Sequence, residues 1–164
     1  MKRRLIVMRH AKSSWKAPAE ADHDRPLNER GRRSAPAIAE ELRNLGWEPQ
    51  HILSSDAQRT RETAELLLRE WEDGIQAEYN ANLYLAGTED LKSELCAVSD
   101  EVETLLVLGH NPGWETVVYR LCNVGVTMKT ATAALLTTNN CESWSDAFAS
   151  DWELENVVNP RDLI

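Results

Sequence analysis

The sequence predicts an α/β domain built on a mostly parallel β-sheet. Apolar segments with strand character alternate with helical segments through the first three-quarters of the chain, which is typical of β-α-β units. The segment Thr104–Leu108 is almost entirely apolar, as expected of a strand covered on both faces in a parallel sheet. The 164 residues are enough for one domain with a substantial core, so we expect a single domain over 1–164.

The first half of the chain alternates short strands with longer helices. In order, we predict a strand over 3–8, a loop over 9–27, a helix from 28 to about 45, a strand over 52–54 and a helix from 56 to about 71. Asn28 is a good helix N-cap, and Gly46 is a helix stop. Pro36 lies inside the first helix and should kink it or mark its true start. Asp56 is expected to cap the second helix.

The second half continues this alternation and then changes character. The predicted elements are a weak strand over 76–79, a helix from 88 to about 98, a strand over 104–108, a turn over 109–113, a helix to about 122, and strands over 133–138 and 152–158. Thr88 is the expected cap of its helix. The last two strands close the sheet and are candidates for antiparallel pairing. Residues 139–150 carry no functional signal.

Charge is unevenly distributed along the chain. There are 18 Lys and Arg residues and 27 Asp and Glu residues, for a formal net charge of −9. Residues 1–70 hold 14 basic and 11 acidic side chains, a balance of +3, whereas residues 71–164 hold 4 and 16, a balance of −12. Arginines near turns and helix starts favour a compact anion site. The acidic remainder would repel DNA and RNA, so no nucleic-acid partner is expected.

Signals for membranes, export and cross-linking are weak. The longest purely apolar runs, among them Leu105–Leu108, are too short to cross a bilayer. The basic segment Met1–Arg4 is not followed by an apolar stretch as long as a signal peptide requires. Cys96, Cys122 and Cys141 include no Cys-x-x-Cys pair, which argues against a disulfide framework or a zinc ribbon. We therefore expect a soluble cytoplasmic protein with no membrane partner, in which the cysteines are small apolar fillers.

Histidines and arginines follow the predicted strands at the points where those strands end. Arg9 and His10 follow the first strand. Arg59 lies in the first turn of the helix after the second strand, and His110 follows the strand over 104–108. Because ligands bind at the carboxyl ends of strands in α/β sheets, these side chains should converge on one rim. Arg25, in the loop after the first strand, adds another guanidinium group.

Together these residues predict an anion site with a nucleophile inside it. Guanidinium groups bind phosphate oxygens bidentately, and a helix N-terminus adds backbone dipoles. A neutral imidazole can attack phosphorus and form a phosphoramidate that water cleaves. The arginines neutralise the transferring group, so neither a metal nor a cofactor is expected. Taken singly, each residue also has a structural explanation, and only their joint position at strand ends favours a function.

The remaining histidines and most tryptophans are given structural interpretations. His23, between Asp22 and Asp24, could suggest a metal ligand, but we favour a solvated loop because no second set of ligands accompanies it. His51 should lie at a strand start without a functional role. The tryptophans expected in the core or at its rim are Trp47, Trp71, Trp114, Trp144 and Trp152.

Four motifs, in this order, resemble those of the histidine phosphatase superfamily. They are Arg9-His10 after a strand, Arg25-Pro26-Leu27, Ser54-Ser55-x-x-x-Arg59-Thr60-x-x-Thr63-Ala64, and Leu106-x-Leu108-Gly109-His110-Asn111-Pro112. The match spans about residues 5–114. The short chain is similar to the bacterial phosphohistidine phosphatase branch, the SixA type.

The resemblance implies a fold and a set of roles. The fold would be a three-layer α/β/α sandwich of the phosphoglycerate-mutase-like type. His10 would be the nucleophile that becomes phosphorylated, and Arg9 and Arg59 would bind the phosphoryl oxygens. His110 would donate a hydrogen bond to the transferring group. Arg25 matches the arginine that the SixA branch places in its first loop.

Two features depart from the superfamily pattern. Ala11 replaces the glycine of the usual Arg-His-Gly motif, so either the backbone there needs no glycine-only conformation or the loop takes a different path. The carboxylic acid that many members carry after the third strand has little room in residues 80–87. Glu89 and Asp90 are candidates for this proton donor, but we favour their interpretation as helix N-terminal acids.

The expected function is hydrolysis of phosphohistidine on a protein through phosphorylated His10. Imidazole leaves more easily than an alkoxide, which suits a site without a proton donor. One alternative is a small-molecule phosphomonoesterase with the same nucleophile and Glu89 or Asp90 as the acid, and a phosphoglycerate-type mutase is less favoured. Another is a non-catalytic phosphate-binding module. The partner would be a phosphohistidine-bearing protein or a small phosphorylated substrate.

Overall fold

The computed structural model describes residues 2–15 and 21–164. Its helices and strands are β1 (Arg3–Arg9), α1 (Glu29–Asn44), β2 (His51–Ser55), α2 (Gln58–Glu70), β3 (Gln76–Asn80), α3 (Thr88–Leu95), β4 (Thr104–Gly109), α4 (Gly113–Cys122), β5 (Ala133–Thr138) and β6 (Glu153–Val158). Every predicted strand is present. Part of the predicted loop over 9–27, including Pro18, lies outside the described residues.

The strands form one sheet in the order β3-β2-β4-β1-β5-β6. The pairs β1–β4, β4–β2 and β2–β3 are parallel, and the pairs β1–β5 and β5–β6 are antiparallel. The prediction of a mostly parallel sheet closed by two antiparallel strands is therefore confirmed. β4, the most apolar strand, lies between β1 and β2 and is buried throughout. As a result, β1, β2 and β4 end at the same edge of the sheet.

Alternate side chains of the strands face two apolar layers. In β1, Leu5 and Val7 pack in a cluster with α3 and α4, whereas Ile6 and Met8 pack in a cluster with α1 and α2. Because successive side chains of a strand point to opposite faces, a strand covered by helices on both sides is apolar at nearly every position. The protein is a three-layer α/β/α sandwich, as the sequence resemblance implied.

The start of α1 follows its capping chemistry and holds the loop after β1. The side-chain oxygen of Asn28 accepts a hydrogen bond from the Gly31 amide at 2.9 Å, and α1 begins at the next residue, Glu29. Pro36 therefore lies inside the helix and does not mark its start. A Cβ at Gly31 would lie 2.2 Å from the Lys12 carbonyl oxygen, so only glycine allows this close approach.

Two predicted helix caps are wrong. The Asp56 carboxylate binds His23 instead of capping α2, which begins after Ala57 without a side-chain cap. Thr88 is the first residue of α3 and not its cap, and this helix ends at Leu95 instead of about residue 98. Both residue types are suitable for capping, but Asp56 has another partner and Thr88 lies one position inside its helix.

Residues 139–150 complete the apolar layer on the α3 and α4 side. Trp144 is 1% exposed and stacks on Trp152 with ring centroids 6.2 Å apart. Arg3 is fully buried and donates hydrogen bonds to the carbonyls of Cys141 and Val102 at 3.0 and 2.8 Å. This segment therefore packs and anchors the end of the sheet. The five tryptophans predicted for the core are each 6% exposed or less.

The cysteines differ from the prediction of three apolar fillers. Cys141 is buried, Cys122 is partly exposed and Cys96 is exposed. All three thiols are free. In the part of the chain that the structure describes, no helix combines the length and the apolar character that a membrane span requires.

Candidate active site

The shared edge of β1, β2 and β4 carries a polar cavity of about 170 Å³, here called the His10 cavity. The five residues predicted to converge all line it: Arg9, His10, Arg25, Arg59 and His110. Arg9 and His10 leave β1, His110 leaves β4, and Arg59 lies in the first turn of α2. Arg25 reaches the cavity from the loop after β1. The parallel sheet thus gathers residues that lie up to a hundred positions apart in sequence.

Hydrogen bonds fix both the backbone and the imidazole ring of His10. Its amide donates to the Gly109 carbonyl at 3.1 Å, and its carbonyl accepts from the Ala131 amide at 2.9 Å. Its Nδ1 lies 2.7 Å from the Ala11 carbonyl oxygen. Because a carbonyl only accepts hydrogen bonds, Nδ1 carries the ring proton and Nε2 keeps its lone pair.

The surroundings of His10 also keep its ring neutral. Burial lowers the pKa of His10 to about 3, and the nearby charges of Arg59 and Arg9 act in the same direction. The side chain is only 6% exposed. A neutral imidazole with a free Nε2 lone pair is a nucleophile that needs no separate base to activate it.

Ala11 fits this loop without strain. The non-glycine residues with positive φ in the described ranges are Leu85, Asn123 and Ala131, so Ala11 does not require a glycine-like conformation. Its amide donates to Oγ1 of Thr63 on α2 at 3.1 Å. The first of the two explanations for the alanine at this position is therefore correct.

His110 lies beside His10, with ring centroids 5.2 Å apart. Its Nε2 is 2.9 Å from the hydroxyl oxygen of Ser55, which also accepts from the Ala57 amide at 3.2 Å. Burial lowers the pKa of His110 to about 3, with further contributions from His10 and Arg59. When the Ser55 hydroxyl donates to Nε2, the proton of this neutral ring lies on Nδ1, at the opposite side of the imidazole.

Asp22 links the two most buried arginines of the site. Its Oδ1 accepts from Nη1 of Arg25 at 2.8 Å, and its Oδ2 accepts from Nη2 of Arg59 at 3.1 Å. The hydroxyl of Tyr84 donates to the same carboxylate. The hydrogen bond from Tyr84, followed by those from the arginines, holds the pKa of Asp22 below its usual range. Asp22 is therefore a permanent carboxylate that positions cations and has no proton to donate.

Three buried donors of the site have no hydrogen-bond partner among the described residues. They are Nε of Arg9, Nε of Arg59 and Nδ1 of His110. Buried donors in proteins are nearly always hydrogen-bonded, so each exception requires an explanation. Their position on one cavity is consistent with a site whose donors serve a bound oxyanion.

His23 differs from the predicted solvated loop residue. Its Nε2 lies 2.9 Å from Oδ1 of Asp56, and its ring packs edge-on against Tyr84 with centroids 4.9 Å apart. The hydrogen bond to Asp56 raises the pKa of His23. Within residues 2–15 and 21–164, no group of three or more His, Cys, Asp or Glu side chains is arranged to hold a metal ion. His51 begins β2, with Glu78 at 3.4 Å.

Sequence comparison identifies the family. Residues 5–84 match the model described as histidine phosphatase superfamily (branch 1). An uncharacterized chloroplastic protein of Arabidopsis thaliana is 38% identical over 179 residues, which cover 99% of this chain and 80% of that protein. The chain belongs to the histidine phosphatase superfamily.

Solved structures resemble this histidine phosphatase over nearly its whole length. A candidate phosphohistidine phosphatase SixA from Nakamurella multipartitia has a TM-score of 0.86 at 29% identity, covering 98% of this chain and 97% of that one. A candidate SixA from Agrobacterium tumefaciens has a TM-score of 0.81 at 30% identity, covering 96% and 98%. The three-layer sandwich therefore has the phosphoglycerate-mutase-like fold.

The two candidate proton donors do not join the His10 cavity. Glu89 and Asp90 are exposed in the first turn of α3 and are absent from the residues that line the cavity. Oδ2 of Asp90 accepts a hydrogen bond from the Gly87 amide at 3.1 Å. This contact is the helix N-terminal role that we favoured for Asp90.

Three residues of this histidine phosphatase site escaped the sequence reasoning. From the sequence alone, Asp22 is interpreted only as a neighbour of His23. Its position three residues before Arg25 is a spacing at which the two side chains can form an ion pair. Ser55 was placed at a strand end but given no role. Tyr84, whose ring packs edge-on against His110 at 5.5 Å, carries no signal in the sequence that points to the site.

Proposed function

We propose that this histidine phosphatase hydrolyses phosphohistidine on a protein through a phosphorylated His10 intermediate. The observation that carries the proposal is the state of His10, a neutral ring with its proton on Nδ1 and its lone pair on Nε2, in a cavity lined by three arginines. Nucleophile and phosphate-binding groups thus lie together. A module that only bound phosphate would need the arginines but not a ring prepared in this way.

The proposed reaction has two steps. First, Nε2 of His10 attacks phosphorus in line, the N–P bond of the substrate breaks, and the departing imidazole nitrogen takes a proton from water. Arg9, Arg25 and Arg59 neutralise the phosphoryl oxygens, and His110 donates to one of them through Nδ1. In the second step water attacks phosphorus and the bond to His10 breaks, so that inorganic phosphate leaves and one proton of the attacking water neutralises the hydroxide formed in the first step.

The absence of a nearby carboxylic acid favours phosphohistidine over a phosphomonoester. Asp22 stays ionised, and among the described residues neither Glu89 nor Asp90 lines the His10 cavity. An alkoxide leaving group requires a proton donor, whereas imidazole leaves with much less assistance. The similarity to the two SixA candidates supports the same substrate class. A location in the cytoplasm stays a prediction, and the Arabidopsis thaliana relative is described as chloroplastic.

The decisive experiment compares two substrates. We expect kcat/KM for a phosphohistidine-bearing protein to exceed that for glycerol 2-phosphate, which must expel an alkoxide, by at least about a hundredfold, since removal of a needed general acid costs about 10²–10⁴ in rate. His10→Ala is the blank and should have no turnover. Quenching with base during turnover should trap acid-labile phosphate on His10 in the native protein.

Other outcomes of this experiment separate the alternatives. Faster hydrolysis of glycerol 2-phosphate, with phosphate still trapped on His10, would contradict the phosphohistidine assignment and favour a small-molecule phosphomonoesterase. Tight phosphate binding without turnover of either substrate would favour a binding module. Full activity of His10→Ala would contradict the mechanism itself.

A further inference from the structure

A second cavity opens beside the His10 cavity. Its volume is about 350 Å³, and it shares Arg9, Lys12 and Thr130 with the His10 cavity. Its other walls come from α1, from the segment before β5 and from the chain after β6, through Arg30, Ser34, Lys129, Asn159, Pro160 and Arg161. We call it the basic cavity. Because they share Arg9, Lys12 and Thr130, the two cavities adjoin one another.

The walls of the basic cavity carry cations without carboxylate partners. Among the residues that the structure describes, no Asp or Glu lines it. Lys12, Arg30, Lys129 and Arg161 are exposed, and none of them takes part in the ion pairs of the described residues. A further cavity of about 360 Å³, lined by Arg30, Arg33, Arg161 and Ile164, extends the same positive surface away from His10. Unpaired like charges repel one another, and an anionic partner removes that cost.

The position of two of these cations is unexpected from the composition. Residues 71–164 contain 4 basic and 16 acidic side chains. The four are Lys92, Arg120, Lys129 and Arg161, and two of them line this one cavity. The acidic segment 71–164 thus places two of its four basic side chains on a surface next to the His10 cavity.

The chemistry of these cations indicates the kind of anion. They are exposed, flexible side chains spread over two adjoining cavities, with few buried donors to orient a single small ligand. Such rim charges act through long-range attraction and suit several carboxylates presented by a protein surface. A small anion held in a fixed geometry would instead require buried, pre-oriented donors.

We propose that the basic cavity binds acidic side chains of the protein that carries the phosphohistidine, next to the phosphoryl group in the His10 cavity. This inference rests on the proposed function and defines its substrate class as phosphohistidine within an acidic surface. Lys129 and Arg161 act in substrate binding and not in phosphoryl transfer. They should therefore lower KM for such substrates and leave the turnover of small phosphoramidates unchanged.

The test uses two phosphohistidine peptides of equal length, one with Asp and Glu around the phosphohistidine and one with Ser and Gly in the same places. Phosphoramidate, which has no side chains, is the third substrate. The variant is Lys129→Glu with Arg161→Glu. Its matched control is Lys92→Glu with Arg120→Glu, which changes the net charge equally on α3 and α4, away from the basic cavity. Thermal unfolding checks that both variants fold.

We expect the native protein to prefer the acidic peptide by about tenfold in kcat/KM, which corresponds to about 1.4 kcal/mol and is within what two exposed ion pairs can contribute. The preference should arise in KM, shrink with added salt, vanish in the 129/161 variant and persist in the 92/120 control. Phosphoramidate turnover should be the same in all three proteins. If the charge reversals unfold the chain, Lys129→Ala with Arg161→Ala should still reduce the preference.

The outcomes that overturn this inference differ from those that overturn the proposed function. Equal kcat/KM for both peptides, or equal loss of preference in both variants, would overturn the basic cavity as a binding site and leave phosphohistidine hydrolysis standing. Hydrolysis of neither peptide beside fast hydrolysis of p-nitrophenyl phosphate would overturn the proposed function. In that case fluorescence anisotropy with the unphosphorylated acidic peptide tests whether the basic cavity binds acidic side chains. Binding to the native protein that the 129/161 variant lacks would support this role, and no binding to the native protein would reject it.

Discussion

At the scale of single residues, hydrogen bonds to the two histidine rings decide what each ring can do. The Ala11 carbonyl holds the proton of His10 on Nδ1 and leaves Nε2 free to attack. Ser55 contacts Nε2 of His110, and when its hydroxyl donates to that nitrogen, Nδ1 carries the ring proton. The two rings, 5.2 Å apart, then suit the opposite tasks that we propose for them, His10 as nucleophile and His110 as donor.

Ser55→Ala should reduce kcat by about ten- to a hundredfold, as when a metal-bound histidine loses the group that orients its ring. The variant removes the hydroxyl that contacts Nε2 of His110, while the arginines proposed to bind phosphate remain. KM for p-nitrophenyl phosphate should therefore change much less than kcat.

The matched control for this prediction is Ser54→Ala. Ser54 is also fully buried, and its hydroxyl donates to the Ser55 carbonyl at 2.8 Å and not to a histidine. Both variants should have similar thermal stability. Equal kcat values for the two variants would contradict the positioning role of Ser55.

At the scale of elements, the ends of strands and helices decide which polar side chains meet. Neighbouring strands β1, β4 and β2 are parallel, so the residues that follow them share one edge of the sheet. The first turn of α3 points its acids elsewhere: Asp90 accepts from the Gly87 amide, and Glu89 is exposed. Polar side chains at the ends of elements thus line the His10 cavity in one place and bind the backbone at a helix start in another.

Asp90→Ala should lower the free energy of unfolding by about 1 kcal/mol through the lost cap and leave phosphatase activity unchanged. Urea unfolding measures the first quantity, and turnover of glycerol 2-phosphate, whose alkoxide leaving group depends on a proton donor, measures the second. Glu89→Ala, one residue away and without the contact to Gly87, is the control and should change neither. A large loss of activity in either variant would show that a carboxylate of α3 supplies a proton after all.

At the scale of the whole molecule, the site makes the fold sensitive to acid. His10 and His110 are both buried, and burial lowers the pKa of each to about 3. In the unfolded chain the pKa of a histidine is about 6.5. Between these values the unfolded chain binds more protons than the folded one, so stability is complete above about pH 6.5 and declines as the pH falls toward 3.

Each of these histidines should remove about 2 kcal/mol of stability between pH 7.5 and pH 5. Urea unfolding at the two pH values measures the loss. His110→Gln should lose less stability on acidification than the native protein, while the control His51→Gln, at the exposed start of β2, should lose as much. An equal loss in both variants would mean that other groups cause the acid sensitivity.

The sequence by itself determined the α/β class, the strand positions and the five residues that line the His10 cavity. These features depend on local patterns, namely apolar runs that predict buried strands and polar residues that directly follow them. Parallel strand ends must share an edge, so position along the chain was enough to predict convergence. The resemblance added the sandwich fold, and it implied the roles that we propose for Arg9, His10, Arg25, Arg59 and His110.

Only the tertiary structure decided which partners those residues have. Asp22 meets Arg59 across 37 positions, Ser55 meets His110 across 55, and Asp22 meets Tyr84 across 62. The caps predicted at Asp56 and Thr88 failed for the same reason, since capping propensity describes a residue type and not its competing contacts. The basic cavity likewise joins Lys12 to Arg161. Contacts between distant segments depend on how the layers pack, and no periodicity in the chain encodes them.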